Sequence, residues 1–223
     1  MRGVADTTGA SGLGDFDPAA LRHAADALPR SRPRQLAYRL WRAWERVHTD
    51  HLLHLETVAS GGTSIFRIRR NVYRGHDVAL QDGLVLTDGM PVVDLHLMTD
   101  ALLALQAGSA GHSAQRVAIA YRREMLRSLA ILADYLDRMP AYRDVQAIYG
   151  MSLLYRGAER AGFTVWPIQN ALSRRFLGLY LRAFLAVMHP DGLRRLGEGH
   201  GRLEPVQLAM SQRLLRERYH APR

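Results

Sequence analysis

The chain has 223 residues, 48% of them hydrophobic, enough to bury one substantial core without staples. It has no cysteine, which removes disulfide scaffolds, thiolate zinc sites, iron–sulfur clusters and cysteine nucleophiles. All 30 basic residues are arginine, which also excludes a Schiff-base lysine, a phosphate-loop lysine and a lysine general base, and the net charge of +9 lies mainly in residues 1–70 and 172–223.

Met1-Arg2 leads into Gly, Ala, Asp and Thr rather than an apolar run, and Arg182 interrupts the most apolar segment, Phe176 to Met188. Neither a leader nor a membrane span is expected, so the chain reads as cytoplasmic, with the inner membrane face as a surface its basic ends can meet. Residues 1–30 are expected to be a flexible segment holding at most a weak helix from Pro18 to Leu28, and residues 31–223 a single domain. From Pro33, Leu36, Leu40, Ala43 and Val47 recur at helical spacing beside Trp41 and Trp44, with Arg39, Arg42 and Arg46 on the other side. This predicts an amphipathic helix that buries its tryptophans in the domain and wets its arginines. The alternative uses Arg30, Arg32, Arg34 and the helix arginines against an acidic membrane surface or nucleic acid. No zinc finger, RNP motif or helix-turn-helix supports the nucleic-acid version.

Gly61-Gly62 breaks the chain, and Ser64 to Arg69 alternates with period two, as a strand does. Val78 to Leu80, Leu84 to Leu86 and Val92 to Leu97 follow, separated by Asp82-Gly83 and Asp88-Gly89, both strong hairpin signals. These runs predict a tight β-meander over residues 63–98. A short helix is expected from Asp100 to Leu105 and a long one from Ser113 to Arg138, with Ala118, Tyr121, Met125, Leu129, Leu132 and Leu136 as its buried stripe and Pro140 as its stop. Then come a strand at Val145–Tyr149, a helix capped by Ser152 and stopped by Gly162, and a strand at Phe163–Ile168. If its strands share a sheet, this unit is a parallel crossover. A helix from Ala171 to Met188, a strand at Val206–Met210 and a helix capped by Ser211 complete the chain. The sum is α+β: a small meander and a strand-helix-strand unit in one sheet, packed by several helices.

Asp94 and His96 lie two apart on one strand, so both leave the same face, and an imidazole oriented by a carboxylate can act as a general base. The same pair also suits a structural role, with His96 satisfied by a hydrogen bond where the polar face meets water or a covering helix. The free amides near Met151 and Ser152, beside Arg156, suggest an anion site, with Arg74 as a further candidate. An ion pair of Arg156 with Glu159 explains those residues equally well. His48, His51 and His54 recur every three residues near Asp50 and Glu56, but that spacing drifts around a helix and no HExxH accompanies it, so no metal is assigned. Without GxSxG, GxGxxG, Walker or kinase motifs, no cofactor is expected either.

At Tyr73-Arg74-Gly75, Asp82-Gly83, Asp88-Gly89 and Asp94-Leu95-His96-Leu97 the chain resembles the YkoP-like domain family of bacteria. The resemblance continues through Ala147 to Ser152, Gly162-Phe163 and His189-Pro190-Asp191-Gly192, so it covers about residues 36 to 220. It implies a free-standing relative of the domain found at the carboxy terminus of some polysaccharide deacetylases. The implied role is non-catalytic, accessory to envelope-glycan modification, with a deacetylase or glycosyltransferase as partner. The alternative is a small hydrolase or transferase that uses Asp94 and His96 on an anionic glycan or lipid-linked substrate.

Overall fold

The structure is a computed structural model that describes residues 36, 39, 40, 43, 47, 54–59, 63–98, 114–152, 157–188 and 204–220. The expected flexible segment 1–30 and the Asp100–Leu105 helix lie outside the described residues. The strands are β1 (Glu56–Ala59), β2 (Thr63–Val72), β3 (Val78–Ala79), β4 (Val85–Leu86), β5 (Pro91–Leu97), β6 (Ala147–Ser152), β7 (Thr164–Pro167) and β8 (Val206–Ser211). The helices are α1 (Ala114–Arg138), α2 (Ala171–Met188) and α3 (Gln212–Tyr219).

Six strands form one mixed sheet in the order β1-β2-β5-β6-β8-β7, in which β5 and β6 are parallel and the other neighbours antiparallel. The molecule is therefore α+β, as expected. One face of the sheet packs on α1 and α3: Phe66, Ile68, Val93, Ile148 and Met210 meet Leu129, Leu132, Leu136 and Leu215 in a continuous core. Burying such side chains contributes about 1.5–3 kcal/mol each before the entropy of ordering is subtracted. Ser128 ties α1 to the sheet, its buried hydroxyl accepting from Ile65 N at 3.1 Å.

The predicted meander divides. β3 and β4 pair only with each other, in a separate two-stranded sheet, while β5 pairs directly with β2. The Asp82-Gly83 turn closes the hairpin as expected, with Gly83 at φ +87° and Leu80 N donating to Leu84 O at 2.8 Å. Asp88-Gly89 instead returns the chain to the large sheet: Gly89 N donates to Tyr73 O at 2.9 Å, and Tyr73 N to Met90 O at 2.8 Å. The hairpin packs Val78, Leu80 and Leu86 onto Tyr73, Val92, Ala147, Tyr149, Trp166 and Ala209, on the face opposite α1. It is latched there by Gln81, whose Nε2 donates to Glu159 O at 2.9 Å and Phe163 O at 2.8 Å, and by Asp82, which binds Ser211 and Arg213.

β6 and β7 share one sheet and run the same way, the parallel crossover expected, with β8 between them. Ser152 ends β6; the start of the helix expected after it falls on residues 153–156, outside the described residues, and the described part of the connection is a 3-10 turn at Glu159–Ala161 closed by Gly162 at φ +104°. Leu36, Leu40, Ala43 and Val47 of the expected opening helix are exposed, while Trp41 and Trp44, expected to be buried, lie outside the described residues. β1 was not predicted; its Val58 is fully buried and it extends the sheet beyond β2.

Candidate functional site

The face of the sheet opposite α1 and α3 carries the hairpin over one end and a polar array over the rest. Antiparallel and parallel register partners leave the same face, so the pairings define rows that cross the sheet. One row runs Arg69, Asp94, Tyr149, Ala209, Thr164. Beside it, Arg67 faces His96, and Gln207 lies between Met151 and Trp166; His96 and Met151 each follow the paired residues Leu95 and Gly150. Five strands, β2, β5, β6, β8 and β7, thus contribute polar and aromatic groups to one surface.

Asp94 is buried at 7% exposure, and its charge is compensated locally. Arg69 approaches its Oδ2 with Nε at 2.9 Å and a terminal guanidinium nitrogen at 2.8 Å, and Asn71 Nδ2 donates to the same oxygen at 2.7 Å. Both partners stand on β2 on the same face as Asp94, which is why the period-two alternation of Arg69 and Asn71 matters. Next to this group, Tyr149 Oη accepts from Gln207 Nε2 at 3.0 Å. Burial, reinforced by Tyr73 and the Asp94 charge and only partly offset by Gln207, pushes the Tyr149 phenol up to about 12. It therefore stays a phenol at neutral pH and keeps a proton to donate. Tyr73, Tyr149 and Trp166 continue as an aromatic series, with ring centroids 5.5 and 6.3 Å apart. Thr164 Oγ1 and Trp166 Nε1 are buried without a hydrogen-bond partner among the described residues, so hydrogen-bonding capacity is left over at the β7 end of the rows.

Asp94 and His96 do share this face, and Asp94 Oδ2 is held by Arg69 and Asn71. Arg74 and Ser152 are not brought together. Arg74 follows Tyr73 at the end where β6 begins and pairs with Asp88 at 3.0 Å, whereas Ser152 is five residues further along β6, about 16 Å away along the strand. Arg156 lies outside the described residues, as do His48 and His51. His54 has a left-handed backbone at φ +50°, so a single regular helix does not carry the three histidines. Among the described residues no group of three or more His, Asp or Glu is placed to hold a metal ion, and no helix is long and apolar enough to cross a membrane.

A sequence model of the YkoP domain matches residues 34–219. The chain belongs to the YkoP domain family. It is similar to the protein named "Uncharacterized protein YkoP" of Bacillus subtilis (strain 168), 29% identical over 138 residues that cover 61% of this chain and 73% of the relative. No solved structure matches. The YkoP match spans every strand described above, so the polar rows belong to the family domain and not to an appendage.

Proposed function

We propose that this YkoP domain is a non-catalytic accessory module of bacterial envelope polysaccharide modification. It works beside a deacetylase or glycosyltransferase at the inner membrane face and holds a glycan or lipid-linked glycan against the polar face of its sheet. The observation that carries the reading is the commitment of Asp94 to Arg69 and Asn71. Three donors on Oδ2 fix the Asp94 carboxylate and suit it to holding neighbouring groups in place. The surrounding groups favour a hydroxyl-rich ligand: a neutral phenol, a carboxamide, a guanidinium and an aromatic series.

Titration calorimetry with soluble glycans and deacetylated glycans tests this. Binding that Gln207→Ala weakens by about tenfold, without turnover, is the expected result. Turnover of a polyprenyl-linked or deacetylated glycan by the purified chain alone, abolished by His96→Gln, would replace it with the hydrolase or transferase reading. A pull-down from native cells should bring down an envelope-glycan enzyme.

A further inference from the structure

We infer that one face of α2 is the surface by which the protein docks on an anionic lipid bilayer. The inference rests on the proposed location at the membrane, and names the surface that makes the contact.

Leu172, Phe176 and Leu179 follow one another at intervals of four and three, so they form a single stripe along the helix. They are 78%, 75% and 69% exposed. The opposite fate of Gly178 fixes the orientation of this part of α2: it is buried, and a Cβ placed on it would come within 3.9 Å of Pro205, at the start of β8. This part of α2 therefore turns its Gly178 side toward Pro205 and leaves Leu172, Phe176 and Leu179 facing out. A folded protein rarely exposes three large apolar residues in one row unless something covers them.

Charge indicates the occupant. Arg175 is exposed beside the stripe, three residues after Leu172 and four before Leu179, Arg174 is exposed further round the helix, and the sequence from Ala171 to Met188 contains three arginines and no acid. The last 52 residues hold 10 Arg against 4 acids, within a chain of net charge +9. A second copy of the chain would bring the same positive charges against these, whereas a bilayer with anionic headgroups would neutralise them while accepting Leu172, Phe176 and Leu179 into its acyl boundary. The helix does not span the membrane; it lies along it.

The test is co-sedimentation of the full chain with phosphatidylcholine vesicles, with and without phosphatidylglycerol. The expected result is binding to the phosphatidylglycerol vesicles, weakened by added salt and lost by at least about tenfold in the double variant Phe176→Glu, Leu179→Glu. Circular dichroism and an unchanged thermal midpoint should confirm that the variant is folded. Absence of vesicle binding, or equal binding by wild type and the folded variant, would overturn the inference. A wild-type dimer that the variant abolishes, without vesicle binding, would assign the stripe to self-association instead. Glycan binding in solution is read separately through Gln207→Ala, so the sheet-face reading and the lipid surface fail or survive independently.

Discussion

The hydroxyl of Ser211 donates to Asp82 Oδ2 at 2.5 Å and accepts from Leu214 N at 2.9 Å, so one side chain ends β8, caps α3 and receives the tip of the β3–β4 hairpin. Ser211→Ala removes a helix cap and one donor to a buried carboxylate, and should cost about 1–3 kcal/mol in urea denaturation. Burial opposes ionisation of Asp82, but the Ser211 hydroxyl and Arg213 outweigh it and hold its carboxyl below the usual carboxylate range. The unfolded chain then binds the proton more readily than the folded one. The resulting stability is present at neutral pH and is lost as pH falls below about 4, through the depressed pKa. Asp82→Asn should flatten that part of a urea-midpoint profile taken from neutral to acid pH. Asp94 was legible as a polar strand residue beside His96. Its partners Arg69 and Asn71 were not, because pairing between β2 and β5 depends on a register that no local pattern states.

At the level of elements, β5 and β6 meet where Gly150 lets the backbone come close: a Cβ on Gly150 would stand 2.9 Å from Leu95 O. That oxygen belongs to the sheet and cannot move aside, so Gly150→Ala should destabilise by about 1–3 kcal/mol, seen as a lower denaturation midpoint. Strong local signals were read correctly here: α1, α2, β8 and the Ser211 cap stand where periodicity and capping residues put them. The errors concern partners. Asp82-Gly83 and Asp88-Gly89 look alike in sequence, yet the first closes a hairpin and the second returns the chain to another sheet, because Tyr73 and Met90 pair behind it. β1 was missed because its four residues are too short to show a period, and it exists only through its pairing with β2.

For the whole molecule, β8 lies between β6 and β7 and is followed by α3, whose Leu215 is fully buried against α1. The last strand in sequence is therefore an interior strand in space. A chain truncated before residue 204 should lose cooperative unfolding altogether, measured by circular dichroism. Removing residues 1–30, which precede the family match at residue 34, should leave the unfolding free energy from urea denaturation within about 0.5 kcal/mol of the full chain's. The α+β character of the region matched by the YkoP domain was readable from its mixture of short apolar runs and long helical periods. The exposure of Leu36, Leu40, Val47 and the α2 stripe was not, since a helical apolar period looks the same whether it faces a core or another surface.

The hairpin leaves the large sheet at Tyr73 and rejoins it at Met90 through backbone hydrogen bonds that tie its two ends together. Its closure is thus fixed at the neck, and the entropy of a longer loop would rise only with the logarithm of its length. Because the neck is held by these backbone bonds, another insert spliced between those two residues is expected to leave the β2–β5 register in place. It must still supply apolar side chains in place of Leu80 and Leu86 over Tyr73 and Val92. Within that constraint, what borders the polar rows at this end can diversify while the six-strand order stays the same.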